Sequence, residues 1–192
     1  HQMLAVAGRL RVLLLSRPLP LRRALEQITA ERVRVHLRLL HSALLELGLE
    51  RPRLALAGLN PHAGEAGLVG KKEREELEPA VRDVRAEGLD VTGPLPADTV
   101  FARAAGGEFD GVLALYHDQA FIPLRMLDRA QAHTVLVGSP ILRTSPMHGP
   151  ACDLAGTGRA DCEPFAHAVK KAMGYVHLPC FSSPTRETAT SS

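Results

Sequence analysis

The sequence LALAGLNPHAGEAGLVG at residues 54–70 has two parts of opposite character. Residues 54–59 are apolar apart from one glycine and predict a short buried β-strand, whereas residues 60–70 are rich in glycine and predict a loop. The sequence GVLALYHDQ at residues 111–119 repeats this design, with an apolar strand followed at once by polar side chains. Because ligands bind at the carboxyl ends of the strands in α/β sheets, we expect both polar clusters at one sheet edge.

Outside these two stretches, strand-like and helix-like segments alternate. Thr29 is predicted to cap a long helix whose apolar residues recur at helical spacing and which ends at Gly48. Further segments are expected as strands at residues 11–15 and 134–137, and as helices at 71–87, 151–155 and 163–175. This alternation predicts an α/β fold with a mostly parallel sheet and flanking helices.

Composition narrows the class of protein. The 192 residues carry 23 basic and 21 acidic side chains, and this near balance argues against a nucleic-acid or membrane-surface protein. The three cysteines, at irregular spacing, do not resemble a disulfide framework or a zinc ribbon, so we expect a reducing, cytoplasmic setting. No run is long and apolar enough to span a bilayer, and the arginines among the first 15 residues argue against a signal peptide.

We expect residues 1–178 to form one partial α/β domain that begins in the middle of a fold. The Ser/Thr-rich residues 179–192 are predicted to be a disordered tail.

Two histidines are candidates for chemistry. His62 lies in the glycine-rich loop, where its imidazole could point into a cleft or merely bond to the backbone and stabilise the loop. His117 ends a strand beside Asp118, a pairing typical of a metal ligand or general base with a carboxylate that orients it. Two such imidazoles on neighbouring strand ends could share one divalent cation, although a third ligand would be needed for a strong site.

Other residues give weaker signals. Arg143 follows a strand, where its guanidinium could bind a phosphate or carboxylate, or could form an ordinary salt bridge. His148 could serve a site or close a turn. His133, His167 and His177 have no supporting neighbours in the sequence, so we assign them no role.

Four motifs taken together resemble one family. They are LNPHAGE, GPLPADT, YHDQ and PILRTS followed by HG, in that order along residues 59–149. Their order and spacing are similar to the C-terminal part of the 4-hydroxythreonine-4-phosphate dehydrogenase family, and a substantial N-terminal region typical of that family is missing. The resemblance implies a fold like that of isocitrate and isopropylmalate dehydrogenases, and a homodimer. It also implies oxidation of 4-phosphohydroxy-L-threonine by NAD or NADP with decarboxylation, in pyridoxal phosphate biosynthesis.

The resemblance also implies roles for single residues. His62 and His117 match two of the family's three metal ligands, for Zn, Mg or Co, and Asp118 accompanies His117. Pro18 stands where the family has its other metal-binding histidine, and proline has no side-chain donor. We therefore expect a weakened metal site.

Three further positions match substrate-binding residues of the family. Arg143 retains the family's arginine, Arg125 falls on its lysine, and Thr134 falls on its asparagine. Two alternatives stay open beside the dehydrogenase reading. One is a non-catalytic α/β module or fragment, and the other is a relative that acts on threonate or erythronate 4-phosphate.

Overall fold

The computed structural model describes residues 1–128, 131–149 and 151–178. Its centre is a seven-stranded sheet with the strand order β4-β3-β5-β2-β1-β6-β7. The strands are β1 (Gln2–Ala7), β2 (Leu10–Leu14), β3 (Leu54–Ala57), β4 (Val91–Leu95), β5 (Gly111–Ala114), β6 (His133–Val137) and β7 (Thr144–Pro146). The predicted tail at residues 179–192 lies outside the described residues.

Most strands of the sheet run in the same direction. The neighbours β4, β3, β5 and β2 are parallel, and β1 pairs antiparallel with both β2 and β6. Strand β6 therefore points the same way as β2, so only β1 and β7 oppose the common direction. The prediction of a mostly parallel α/β sheet is confirmed, and the sheet is in fact mixed. We call the edge where β2, β3, β5 and β6 end the carboxyl edge.

The described residues form six α-helices. They are α1 (Leu21–Glu26), α2 (Ala30–Glu46), α3 (Glu78–Ala86), α4 (Ala97–Ala105), α5 (His117–Leu127) and α6 (Glu163–Tyr175). One apolar core lies between one face of the sheet and helices α2 and α3, and a second lies between the other face and helices α4 and α5. Burying both faces of a sheet in this way explains why its strands are apolar without alternation.

The predicted helix start at Thr29 is confirmed. The Thr29 hydroxyl accepts a hydrogen bond from the Arg32 amide, and the apolar stripe of α2, which includes Leu37, Leu40 and Leu44, is fully buried. The helix ends at Glu46 with Leu47 as its C-cap, and Gly48 follows with a φ of +91°, a conformation that glycine adopts without steric cost.

Several elements differ from expectation. Strand β1 was not predicted, and it forms an antiparallel hairpin with β2 through a turn at Gly8. Helices α4 and α5 occupy segments in which no helix was predicted. The helix expected at 151–155 is wrong, because Ala151 has a left-handed backbone and only a short 3-10 turn, Cys152–Leu154, follows it. Among the described residues, none of the helices has the length and apolar character needed to cross a bilayer.

Candidate functional site

The two candidate histidines follow neighbouring strands at the carboxyl edge. His62 follows β3, two residues separate His117 from the end of β5, and these strands pair in parallel with Leu56 opposite Leu113. The imidazoles are accessible, with 69% of the His62 side chain and 40% of the His117 side chain exposed. The expectation that both polar clusters lie at one sheet edge is thus met by the topology.

His62 lies in a left-handed turn. Residues 62–66 all have positive φ, and four of them are not glycine: His62, Ala63, Glu65 and Ala66, with φ between 45° and 55°. A left-handed conformation costs a residue with a Cβ roughly 1–2 kcal/mol. Consecutive residues persist in such a conformation only where their surroundings enforce it, and such strain is concentrated at functional sites.

The Glu73 carboxylate contacts this turn and the residues that lead into it. Its side chain is almost fully buried, and its two carboxylate oxygens accept hydrogen bonds from the Leu59 amide (2.9 Å), the Asn60 amide (2.6 Å) and the Asn60 side chain (2.9 Å). A Cβ at Gly64 would lie 2.8 Å from the same carboxylate, so only glycine permits this approach. Burial alone would raise the pKa of Glu73, but these hydrogen bonds outweigh burial and lower it.

His117 occupies the first position of α5. Its Nδ1 lies 2.7 Å from a carboxylate oxygen of Asp118, so Nδ1 carries the proton and Nε2 is left to bind a ligand. The carboxylate of Asp118 also lies in the first turn of α5, where the helix dipole favours negative charge. The predicted pairing of these two residues is present in the structure.

One face of α5 carries a stack of three side chains. The His117 and Phe121 rings are parallel, with centroids 4.3 Å apart, and the Arg125 guanidinium lies 5.6 Å from the Phe121 ring centroid. Arg125 also donates to the Met147 carbonyl oxygen at 3.4 Å. The i, i+4, i+8 spacing of these residues is the signal that could have identified Phe121 from the sequence.

Gln119 connects the two histidine-bearing strand ends. Its side-chain oxygen accepts from the Leu115 amide and its side-chain nitrogen donates to the Gly58 carbonyl, each at 2.8 Å. Sequence reasoning assigned no role to this buried residue, although its place directly after His117 and Asp118 was a usable signal. For Glu73, no local sequence signal exists.

Arg143 and Pro18 line one pocket at the carboxyl edge. This cavity, of about 270 Å³, lies beyond the ends of β2 and β6, and Ser16 and Arg17 also line it. The Ser16 side chain is buried, and its hydroxyl has no hydrogen-bond partner among the residues that the structure describes. A buried, unpaired hydroxyl beside two guanidinium groups suits an anionic ligand.

Thr134 lies apart from that pocket. It is the second residue of β6, three residues before Val137, so it is on the order of 10 Å from the end of the strand. Its hydroxyl bonds to the Ser145 hydroxyl at 2.8 Å. Opposite residues of an antiparallel pair share a face, and Thr134 is paired with Ala5, which belongs to the core under α5. Thr134 therefore lies on the same face of the sheet as Arg125.

The side chains present supply part of a metal site. In the described residues, no three or more histidine, cysteine, aspartate and glutamate side chains come together closely enough to hold an ion. His62 and His117 offer two nitrogen donors on neighbouring strand ends, and Pro18 lies at the end of β2 without a donor. A stable site in this chain would need a further ligand from water, substrate or another chain.

The chain is similar to known proteins in sequence and in structure. The family model described as pyridoxal phosphate biosynthetic protein PdxA matches residues 1–172. A 4-hydroxythreonine-4-phosphate dehydrogenase from Stutzerimonas stutzeri is 49% identical over 160 residues, which is 83% of this chain and 48% of that protein. A D-threonate 4-phosphate dehydrogenase from Salmonella typhimurium is 42% identical over 173 residues, covering 90% of this chain and 53% of that protein.

A solved structure is similar as well. The crystal structure of 4-hydroxythreonine-4-phosphate dehydrogenase from Klebsiella pneumoniae superposes with a TM-score of 0.82 at 40% identity, covering 91% of this chain and 53% of the other. The chain thus spans about half the length of the relatives it matches. With the sheet, the histidine-bearing strand ends and these matches in agreement, the chain belongs to the PdxA family of pyridoxal phosphate biosynthetic proteins.

Proposed function

We propose that this chain is part of a dehydrogenase that oxidises a phosphorylated hydroxy acid, and that the carboxyl edge of its sheet contributes to the active site. The main candidate is metal-assisted oxidation of 4-phosphohydroxy-L-threonine with NAD or NADP, followed by decarboxylation. The observation that carries the proposal is the position of His62 and His117 on adjacent strand ends in a member of the PdxA family.

The side chains at the edge have complementary roles in this proposal. Arg143 and Arg125 bind the negative groups of the substrate, since guanidinium groups bind phosphate and carboxylate through paired hydrogen bonds. Asp118 orients His117 so that Nε2 can bind a cation together with His62. That cation, when bound, would polarise the substrate hydroxyl so that it loses its proton more readily, while the carbon that bears the hydroxyl gives its hydride to the nicotinamide.

A direct assay tests the reaction. The purified chain is incubated with 4-phosphohydroxy-L-threonine, NAD or NADP, and Zn²⁺, Mg²⁺ or Co²⁺, and the absorbance of reduced nicotinamide is followed. The expected result is metal-dependent reduction that Arg143→Gln slows through a higher KM, whereas Arg22→Gln, an exposed arginine on α1, has no effect. Rates equal to a protein-free blank would contradict catalysis by this chain alone.

Metal binding separates the enzyme from a non-catalytic module. We expect Zn²⁺ to bind the wild-type chain, and His62→Ala and His117→Ala each to weaken that binding about tenfold or more, because each removes one of two nitrogen donors. His41→Ala, on α2, is the control and should bind as the wild type does. Titration calorimetry measures all four proteins, and absence of Zn²⁺ binding to the wild type would favour the module.

D-threonate 4-phosphate is the second candidate substrate. One relative carries that name at 42% identity, and Thr134 here offers a single hydroxyl that is already bonded to Ser145. A panel of 4-phosphohydroxy-L-threonine, D-threonate 4-phosphate and erythronate 4-phosphate, compared by kcat/KM, distinguishes the candidates.

We also propose a homodimer. Helix α5 has three exposed apolar side chains, Ile122, Met126 and Leu127, beside a groove of about 520 Å³ that Tyr116 and Asp118 also line. Apolar patches of this kind mark protein contacts.

A further inference from the structure

A second pocket lies at the opposite edge of the sheet. It has a volume of about 490 Å³ and lies between the turn after β1, the first residues of β2 and β6, and the second half of α6. Since β2 and β6 begin here and end at the carboxyl edge, the sheet separates this cavity from His62 and His117. We call it the amino-edge pocket, and its size suits a small metabolite.

The charged side chains that line the amino-edge pocket are all basic. They are Arg11, Lys170 and Lys171, and no acidic side chain is among the described residues that line it. Within the described part of the chain, neither lysine forms an ion pair, and the Arg11 guanidinium bonds only to the carbonyl oxygens of Arg9 and Asp110. The Asp110 carboxylate attracts Arg11 electrostatically, but no ion pair to either lysine occurs among the described residues. The positive charges that line the pocket repel one another, and a bound anion would relieve that repulsion.

The aromatic side chains of His133 and Tyr175 line one wall of the pocket. His133 is almost fully buried, and its Nδ1 lies 3.2 Å from the Gln131 carbonyl, which can only accept, so Nδ1 carries the proton. Its Nε2 therefore accepts the hydrogen bond from the Tyr175 hydroxyl at 2.9 Å. The sequence indicated no neighbours for His133 and His167, but in the structure their rings lie 5.4 Å apart and the Tyr175 ring packs against His133.

The pKa shifts of His133 and Tyr175 are consistent with positive charge around the pocket. Burial lowers the pKa of His133, and the positive charge of Lys171 lowers it further. Burial raises the pKa of Tyr175, and the positive charge of Arg11 opposes that rise. A buried His167 nitrogen has no hydrogen-bond partner among the described residues, which leaves one more polar group beside His133 unsatisfied.

We propose that the amino-edge pocket binds a phosphate-bearing small molecule at a site separate from the substrate pocket. The phosphate lies between Arg11, Lys170 and Lys171, since ammonium and guanidinium groups supply strong charge-assisted hydrogen bonds to phosphate. The apolar part of the ligand contacts Val6 and Leu47, which also line the cavity.

Inorganic pyrophosphate is the probe, measured by titration calorimetry at low ionic strength. All proteins carry Arg143→Gln, which weakens anion binding in the pocket that Arg143 lines at the carboxyl edge. We expect one pyrophosphate to bind per chain, and the added pair Lys170→Gln and Lys171→Gln to weaken binding tenfold or more. The matched control adds Arg22→Gln and Lys71→Gln, which remove the same two charges from exposed positions outside the pocket, and it should bind as the parent does.

Three results would overturn the proposal. They are no binding to the Arg143→Gln parent, equal weakening in the control pair, and equally strong binding of succinate, a dianion without phosphate. Both lysines are exposed, so their replacement should leave the fold intact, and thermal unfolding checks this. If the melting temperature of the lysine pair changes, Lys170→Gln and Lys171→Gln are tested singly.

Discussion

At the scale of single residues, the geometry of the carboxyl edge depends on side chains to which we assign no contact with substrate or metal. Gln119 is the clearest case, because one buried amide group bonds to a backbone group beyond β5 and to another beyond β3. Buried polar groups that lose their partners cost free energy, so the amide holds the two strand ends at a fixed separation. The positions of His62 and His117 follow from that separation.

Replacing Gln119 tests this role. Gln119→Leu leaves the Leu115 amide and the Gly58 carbonyl without partners in a buried setting, so the free energy of unfolding should fall by about 2–4 kcal/mol. Urea denaturation measures the change, and Gln131→Leu, at an exposed position, serves as the control. An unchanged unfolding free energy in Gln119→Leu would show that the bridge contributes nothing.

At the scale of elements, the strained turn of residues 62–66 depends on a helical segment that follows it in the chain. The π-helical turn Glu73–Leu77 runs directly into α3 and places the Glu73 carboxylate under the turn. Three hydrogen bonds to one carboxylate offset the cost of the left-handed residues. The helix therefore determines where the His62 imidazole lies.

Glu73→Gln should destabilise the chain. The substituted amide would place a donor against the Asn60 side-chain amide, and the loss should be about 1–3 kcal/mol in the free energy of unfolding at neutral pH. Urea denaturation is the measurement. Glu75→Gln, on the exposed side of the same segment, should remain within about 0.5 kcal/mol of the wild type.

The pH dependence of that difference has a definite sign. The pKa of Glu73 in the folded chain is below its ordinary value of 4.5, so its stabilising effect is complete above pH 4.5. The effect is lost as the pH falls through the lowered pKa. The difference in unfolding free energy between wild type and Glu73→Gln should therefore shrink on acidification below pH 4.5, and a difference that grows there would contradict this account.

At the scale of the whole molecule, the chain shares the fold of its relatives but spans about half their length. Helix α5 carries both candidate site residues and a candidate contact surface. One face holds His117 and Arg125, while Ile122 and Met126 are exposed. A second subunit that covers these apolar side chains would also lie close to Asp118, which lines the same groove.

Association through α5 is measurable by light scattering after size exclusion. A dimer has twice the chain mass of 20.7 kDa, about 41 kDa. Met126→Glu places a charge on a side chain that is 82% exposed and should shift the population to monomer without loss of stability. Val35→Glu, an exposed apolar residue on α2, should leave the mass unchanged, and a dimer that persists in Met126→Glu would exclude this face.

The sequence by itself determined the alternation of strands and helices, the cap at Thr29, and the polar clusters that follow β3 and β5. These features are local, since apolar runs, capping residues and glycines act within a few positions of the chain. They were sufficient to predict a mostly parallel sheet with His62 and His117 at one edge. The helix expected at 151–155 failed because the backbone at Ala151 is left-handed, which no local pattern indicated.

Only the tertiary structure decided which distant groups meet. Gln119 reaches Gly58 across 61 residues of chain, and His133 reaches Tyr175 across 42. Such pairs depend on how helices pack on the sheet and on which buried polar groups need partners, and neither is encoded in the spacing of neighbouring residues. The strained His62 turn, the Gln119 bridge and the amino-edge pocket are therefore properties of the folded chain, because each arises where packing brings separate segments into contact.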